Sequence, residues 1–289
     1  MKTTLRCVGL VAMAAILLSF ASPLQRQEKR SDKPAGGGAD GQPSEVEALV
    51  EKVLANRKIN WEAARNYVFH ELESLQIKGQ EIADLQGFQR EYLWIVRDDY
   101  LIRSPLKANG APVSEAVKKK EEEKWFHRKR DGRRLEREIF FDFDFKQGEL
   151  LFAGYQQFEG RKLAVIEFYP RHFFSREAYG DEERRYTEML DKTTLVRLLV
   201  EPQEHQMVRM TFENVGLEFL PYRWLVRVDD LSASITMAKP IENVWLPRDI
   251  EASGKISTAS FQLEIVYLRK FSQYQKTDVK VKLRYDKKP

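Results

Sequence analysis

Glu149 to Tyr169, ELLFAGYQQFEGRKLAVIEFY, reads as two apolar-rich segments folded about one turn. Glu149–Tyr155 and Lys162–Tyr169 carry the aromatic and branched residues that suit a pleated surface. Phe158-Glu159-Gly160-Arg161 between them is a hairpin turn. The same pattern recurs where Leu195–Glu201 and Gln206–Glu213 flank Pro202-Gln203-Glu204-His205. Strands joined by turns this short must be antiparallel. Tyr67–Ile77, Gln89–Arg97 and Tyr100–Arg103 precede these hairpins. Arg223–Val228, Val244–Ala252, Phe261–Leu268 and Val279–Tyr285 follow them. In the last of these, Val279, Val281, Leu283 and Tyr285 alternate with Lys280, Lys282 and Arg284. One face is apolar, and the basic one discourages pairing with other chains.

One helix precedes the strands, and a second falls between Arg103 and the first hairpin. Ser44 can cap a free amide, Glu45 and Glu47 suit the positive helix end, and Val46, Leu49, Val50, Val53 and Leu54 recur at helical spacing. This helix is expected to end near Asn56 to Asn60. Asn109-Gly110 marks a turn, and Ser114 caps a second helix, Glu115 to about Arg130. Lys118-Lys119-Lys120 meets Glu121-Glu122-Glu123 there, so opposite charges can pair along its surface, with Trp125 and Phe126 as its apolar contacts. Arg184–Leu190 reads as a short third helix. The expected fold is α+β and mainly β: an incomplete antiparallel β-barrel, a curved sheet of about nine or ten strands covered by two or three helices. It forms one domain over residues 45–285.

The N-terminus bears on compartment. Lys2 and Arg6 precede the charge-free run Val8–Phe20, and Ser19-Phe20-Ala21 offers a cleavage site after Ala21. Residues 1–21 therefore read as a signal peptide and residues 22–44 as a disordered Gly/Pro-rich linker, with a periplasmic or secreted mature chain. A retained anchor is the alternative, and the linker then becomes a flexible stalk. The one cysteine, Cys7, leaves with the signal, so the exported chain has no disulfide, thiol nucleophile or thiolate metal site. The formal net charge of the 289 residues is +4, which gives no global attraction to nucleic acid. No second apolar run approaches membrane-spanning length.

Catalytic patterns are missing. There is no Gly-x-Ser-x-Gly elbow, phosphate loop or dinucleotide fingerprint. The four histidines, His70, His127, His172 and His205, do not fall at the spacing of a local metal site. Asp142-Phe143-Asp144 sets two carboxylates on one side of an extended segment without further oxygen ligands at calcium-loop spacing, and a solvated strand face accounts for it. The reading is therefore no enzyme, no catalytic residues, no cofactor and no metal.

Two surfaces remain as candidates. Alternation places Tyr92, Trp94 and Val96 on one side of their strand. It does the same for Ile166 and Phe168, with Ala164, for Val208 and Met210, with Phe212, and for Trp224 and Val226, with Val228. These bulky sets are expected to face inward and line an apolar ligand cavity, unless the helices fill it. Trp245 also falls in a predicted strand. Arg128, Lys129, Arg130, Arg133 and Arg134 form a basic cluster that could meet a membrane surface or a partner, diluted by Asp131, Glu136 and Glu138.

Four segments resemble a known family. Gly154–Pro170, GYQQFEGRKLAVIEFYP, is similar to the hairpin G-x-E-x-x-x-G-R-x-x-x-x-x-x-F-x-P of exported outer-membrane-lipoprotein-sorting-like (LolA-like) proteins, with Gln156 where that pattern has an acid. Glu204–Met210 resembles their D-x-Q-I-V-R turn and strand, and Val244–Ile250 their G-x-W-L-P-x-x-I strand. Asn109–Ser114 before a Lys/Glu-rich helix resembles one bacterial branch. The resemblance covers about Ser44 to Tyr285. It implies a half-barrel closed by helices over an apolar cavity, with relatives that carry lipoprotein acyl chains or sense envelope stress. No ligand-contacting residue transfers by motif. The functional expectation is a periplasmic binding protein for a lipid or an acylated protein. An envelope protein-interaction or stress-sensor module is the first alternative, and a hydrolytic enzyme without a recognisable motif the second. No nucleic acid and no permanent membrane span after cleavage are expected.

Overall fold

The computed structural model describes residues 44–79, 85–98, 100–130, 145, 148–171, 181–214, 226–241, 243–258 and 261–277. The expected signal peptide, the expected linker up to residue 43, the expected strand Val279–Tyr285, Asp142, Asp144, His172, Trp224, Arg133 and Arg134 lie outside the described residues.

Helix α1 spans Glu45–Ala64. Ser44 and Glu47 form a reciprocal capping box, in which the Glu47 amide donates to the Ser44 hydroxyl and the Ser44 amide to the Glu47 carboxylate. The helix runs beyond the expected end at Asn56–Asn60. Asn60 is buried and bonded: its amide donates to Gln206 at 2.8 Å, and its oxygen accepts from the Trp245 amide at 3.1 Å. Those tertiary bonds offset the weak helix preference of asparagine, and Trp61 and Ala64 extend the buried side begun by Val50 and Val53.

Eleven antiparallel strands form one sheet among the described residues. They are β1 (Tyr67–Gly79), β2 (Leu85–Arg97), β3 (Tyr100–Ala108), β4 (Ala111–Pro112), β5 (Gly148–Phe158), β6 (Arg161–Pro170), β7 (Thr194–Glu201), β8 (Gln206–Asn214), β9 (Val226–Ile241), β10 (Val244–Thr258) and β11 (Gln262–Lys276). Their spatial order is β4-β3-β2-β1-β11-β10-β9-β8-β7-β6-β5. The first and last strands in this order do not pair with each other, so the sheet is an open half-barrel and not a closed one. Helices α2 (Glu115–Arg130) and α3 (Asp181–Thr193) complete the described elements. The expected class, mainly β with an incomplete antiparallel barrel and helices, is the class observed.

Turn chemistry fixes the hairpins. Glu159 and Gly160 have φ of 48° and 76°, and Asn109 and Gly110 have 49° and 81°. Two consecutive left-handed residues define the tight turn whose twist matches the strands. Both turns stand where the sequence places them.

An ion pair reports the curvature of the sheet. Glu159, at the β5–β6 turn, accepts a two-pronged bond from Arg248 of β10 at 2.7 and 2.9 Å. In the sheet order β6 and β10 are four strands apart, which would be about 19 Å in a flat sheet. Two side chains cannot bridge that gap in a flat sheet, so their contact shows that the sheet is curled. The Arg161 guanidinium over the Trp245 ring, 5.2 Å from its centroid, spans the same four strands.

Several strands run further than expected: β3 continues past Arg103 to Ala108 and β10 past Ala252 to Thr258, and β9 and β11 extend most. β9 was expected to stop at Val228, before Asp229-Asp230. Instead Asp230 takes φ of 52° beside a register shift, and the strand continues to Ile241. A bulge absorbs the local irregularity without ending the ladder. β11 was expected to stop at Leu268, before Arg269-Lys270. Arg269 is 4% exposed and neutralised by Glu71, so the strand runs through to Lys276.

Candidate functional site

Residues opposite each other in neighbouring strands share a face, so the register maps one side of the sheet. One row reads Phe152, Ile166, Leu198, Met210, Ile235, Ile250, Arg269, Glu73 and Arg90 from β5 to β2. The next reads Leu150, Phe168, Val196, Phe212, Ala233, Ala252, Tyr267, Leu75 and Phe88. This core face is apolar from β5 to β10 and carries charge from β11 onward.

The expected cavity residues divide between these halves. Ile166, Phe168, Val208 and Met210 are buried in the apolar half, within one cluster that also holds Val50 and Val53 of α1. Val226 opens β9. Tyr92, Trp94 and Val96 belong to the other half. There Trp94 stacks on Phe69 at 5.6 Å, and Trp125 of α2 meets it edge-on at 5.5 Å. Protein rings therefore fill the space beside Trp94. Helix α2 is fixed along β3 by Trp125, whose indole donates to the Leu101 carbonyl, by the Ser104–Glu122 hydrogen bond and by the Arg97–Glu123 ion pair. It thus covers an edge that would otherwise pair with another chain. Arg128, Lys129 and Arg130 close α2.

The charged half contains a buried network that the sequence reading missed. Glu71 accepts four hydrogen bonds, from Trp94 Nε1 (2.6 Å), Arg103 Nε (2.8 Å), Arg103 Nη2 (2.6 Å) and Arg269 Nε (2.5 Å). That uses the full acceptor capacity of one carboxylate. Glu73 accepts from the Tyr267 hydroxyl at 2.7 Å, and its other oxygen stands 3.2 Å from Arg103. The Arg103 guanidinium lies 3.6 Å from the Tyr92 ring centroid. Two carboxylates and two guanidinium groups cancel in charge. Burial opposes ionisation of Glu71, yet the charges and hydrogen bonds of Arg103 and Arg269 outweigh it and hold its pKa at about 2. Burial also pushes the Tyr267 hydroxyl well above its ordinary value.

A pH dependence follows. The Glu71 pKa lies below the usual value of 4.5, so the folded state binds the proton less readily than the unfolded chain. Its stabilising contribution, about 3 kcal/mol, is present above pH 4.5 and fades as pH falls towards 2. Urea midpoints across that window should drop in the native protein, and Glu71→Gln should flatten the slope. An unchanged slope would remove Glu71 as the titrating group.

Other candidates do not converge. Among the described residues, no three His, Cys, Asp or Glu side chains are grouped to hold a metal, and no helix is long and apolar enough to cross a membrane. His205 sits in the β7–β8 turn, where its carbonyl accepts from Asn56 of α1.

Fold and site define a curved, open antiparallel half-barrel with a helix-covered apolar face. The solved structures similar to this chain include members of the family its motifs resemble. A DUF1329 family protein from Desulfovibrio piger is 10% identical over 82% of this chain and 94% of its own, with a TM-score of 0.34. A LolA superfamily protein from Nitrosomonas europaea is 11% identical over 81% and 94%, with a TM-score of 0.27. A putative outer membrane lipoprotein-sorting protein domain from Vibrio parahaemolyticus is 12% identical over 80% and 95%, also with a TM-score of 0.27. No family model matches the chain, and no curated protein matches it.

Proposed function

We propose that this protein is exported to the periplasm and there binds an apolar ligand, a lipid or the acyl chain of a lipoprotein, without catalysis. The observation that carries this reading is the unbroken apolar row from Phe152 to Ile250, which ends in half-exposed aromatics at β5. Large apolar groups left in water at the margin of a curved sheet favour an apolar occupant. Ile166, Phe168, Val208 and Met210 would be its inner wall. The resemblance of the Gly154–Pro170 hairpin and the Val244–Ile250 strand to lipoprotein-sorting proteins supports the same direction. Native mass spectrometry of protein taken from its own envelope compartment tests it. A co-purifying lipid mass is expected. Protein that carries no lipid and takes up none from vesicles would overturn the reading.

The filled space around Trp94 favours a second reading, a docking module with α2 as its contact surface. Phe69 and Trp125 hold α2 against the sheet, and the helix end bears Arg128, Lys129 and Arg130, followed by Arg133 and Arg134. Lipid-free protein whose binding to an envelope partner is abolished by charge reversal at these five positions would support this reading over the first.

A further inference from the structure

We propose that the margin of the core face on the β5–β6 hairpin binds a long-chain fatty acid, its chain along Leu150, Phe152 and Tyr155 and its carboxylate on Lys162. This rests on the apolar-ligand reading and names the ligand's class and position.

A bulge builds the strip. Phe152 and Tyr155 are three residues apart, so a regular strand would point them to opposite faces. The register shifts between Phe152 and Gly154, and Phe152 then stands opposite Ile166 and Tyr155 opposite Ala164, both on the core face. Gly154 allows this through a φ of 100°; space is not the reason, since nothing lies within 4 Å of a Cβ placed there. Bulges of this kind re-aim a side chain. The two rings meet edge-on at 5.4 Å, yet Phe152 is 50% and Tyr155 57% exposed.

Charge and length select the occupant. Leu150 to Phe158 contains no charged residue. Lys162 lies on the same face as Ala164, with its ammonium 4.6 Å from the Tyr155 ring centroid. Other nearby cations are engaged: Arg171 pairs with Glu149, and Arg161 stacks on Trp245. Lys162 has no carboxylate partner among the described residues, so one ammonium at the end of an apolar strip matches one carboxylate on an acyl chain. From Ala164 to Phe168 the strip runs about 14 Å. Half of the hydrocarbon thickness of a bilayer, about 15 Å, is the span of one acyl chain.

Calorimetric titration of the full chain with palmitate tests the proposal. Hexadecyltrimethylammonium, with the same chain and opposite charge, and palmitoyl-lysophosphatidylglycerol serve as comparisons. Palmitate should bind at least tenfold more tightly than the cation. Lys162→Glu, at an exposed site, should weaken palmitate roughly tenfold. Phe152→Ser with Tyr155→Ser should weaken it roughly a hundredfold while circular dichroism stays unchanged. Equal affinity for the cation, or no loss in Lys162→Glu, overturns the proposal. Tighter binding of the lysophospholipid overturns the carboxylate assignment. If native protein carries lipid but both variants bind palmitate like the parent, the site fails and the apolar-ligand reading stands. If no lipid co-purifies and no palmitate binds, both fail.

Discussion

Replacing Arg269 by methionine should destabilise the protein by about 3–5 kcal/mol, because it strips a buried carboxylate of one of its two cations. Glu71 has no exposed side-chain surface and relies on Arg103 and Arg269 for its charge balance. With Arg269 gone, Glu71 and Glu73 share a single buried guanidinium. Their repulsion and desolvation then act against the fold. Adding Glu71→Gln to Arg269→Met should restore part of the loss, since Glu73 and Arg103 remain as a neutral pair. The coupling between the two sites should be on the order of 1–3 kcal/mol, as for residues in one hydrogen-bonded network. Urea unfolding of the parent, both single variants and the double variant measures it. A loss below about 1 kcal/mol in Arg269→Met would mean that water reaches the network and screens it.

That network shows why one part of the molecule was legible in the sequence and another was not. The hairpins were, because Glu159-Gly160 and Asn109-Gly110 are local signals: two adjacent residues adopt the left-handed conformation the turn needs. The charged helix Glu115–Arg130 was legible too, since its Ser114 cap lies beside it in sequence. The lysine–glutamate pairs seen along it are Lys118–Glu115 and Lys124–Glu121, however, while Glu122 and Glu123 turn to Ser104 and Arg97 of the sheet. Glu71 and Glu73 were not. Read along the chain, a glutamate in a strand suggests the solvated side, and only its partners reverse that. Arg103 lies 32 residues away and Arg269 198. Alternation with Tyr67 and Phe69 does place both glutamates on the core face, and Tyr267-x-Arg269-x-Phe271 repeats the same anomaly on β11. Two charged interruptions of apolar alternation, of opposite sign, were the available hint. The aromatic strip on β5 was hidden for another reason. Its two rings share a face only through the bulge at Gly154, and strict alternation separates them.

Trp94→Ala should cost about 3–5 kcal/mol and leave ligand uptake per folded molecule unchanged. Trp94 is 1% exposed, lies between Phe69 and Trp125, and donates its indole N–H to Glu71. Alanine removes the packing on both sides and one of the four donors that neutralise Glu71. Trp94→Phe separates these contributions. It keeps most of the ring contact and loses only the donor, so its cost should be nearer 1–3 kcal/mol. Helix α2 should loosen in the alanine variant, because Trp125 loses its ring partner, and faster amide exchange in Glu115–His127 would report it. The apolar strip at Phe152 is eight strands away in the sheet order, and no residue of the Glu71 network contributes to it. Stability and lipid binding should therefore respond to different residues: Trp94 and Arg269 to the first, Phe152 and Lys162 to the second. A Trp94→Ala protein that keeps its unfolding midpoint but loses lipid would reverse this assignment, and would place the ligand beside Trp94 in space that Phe69 and Trp125 now fill.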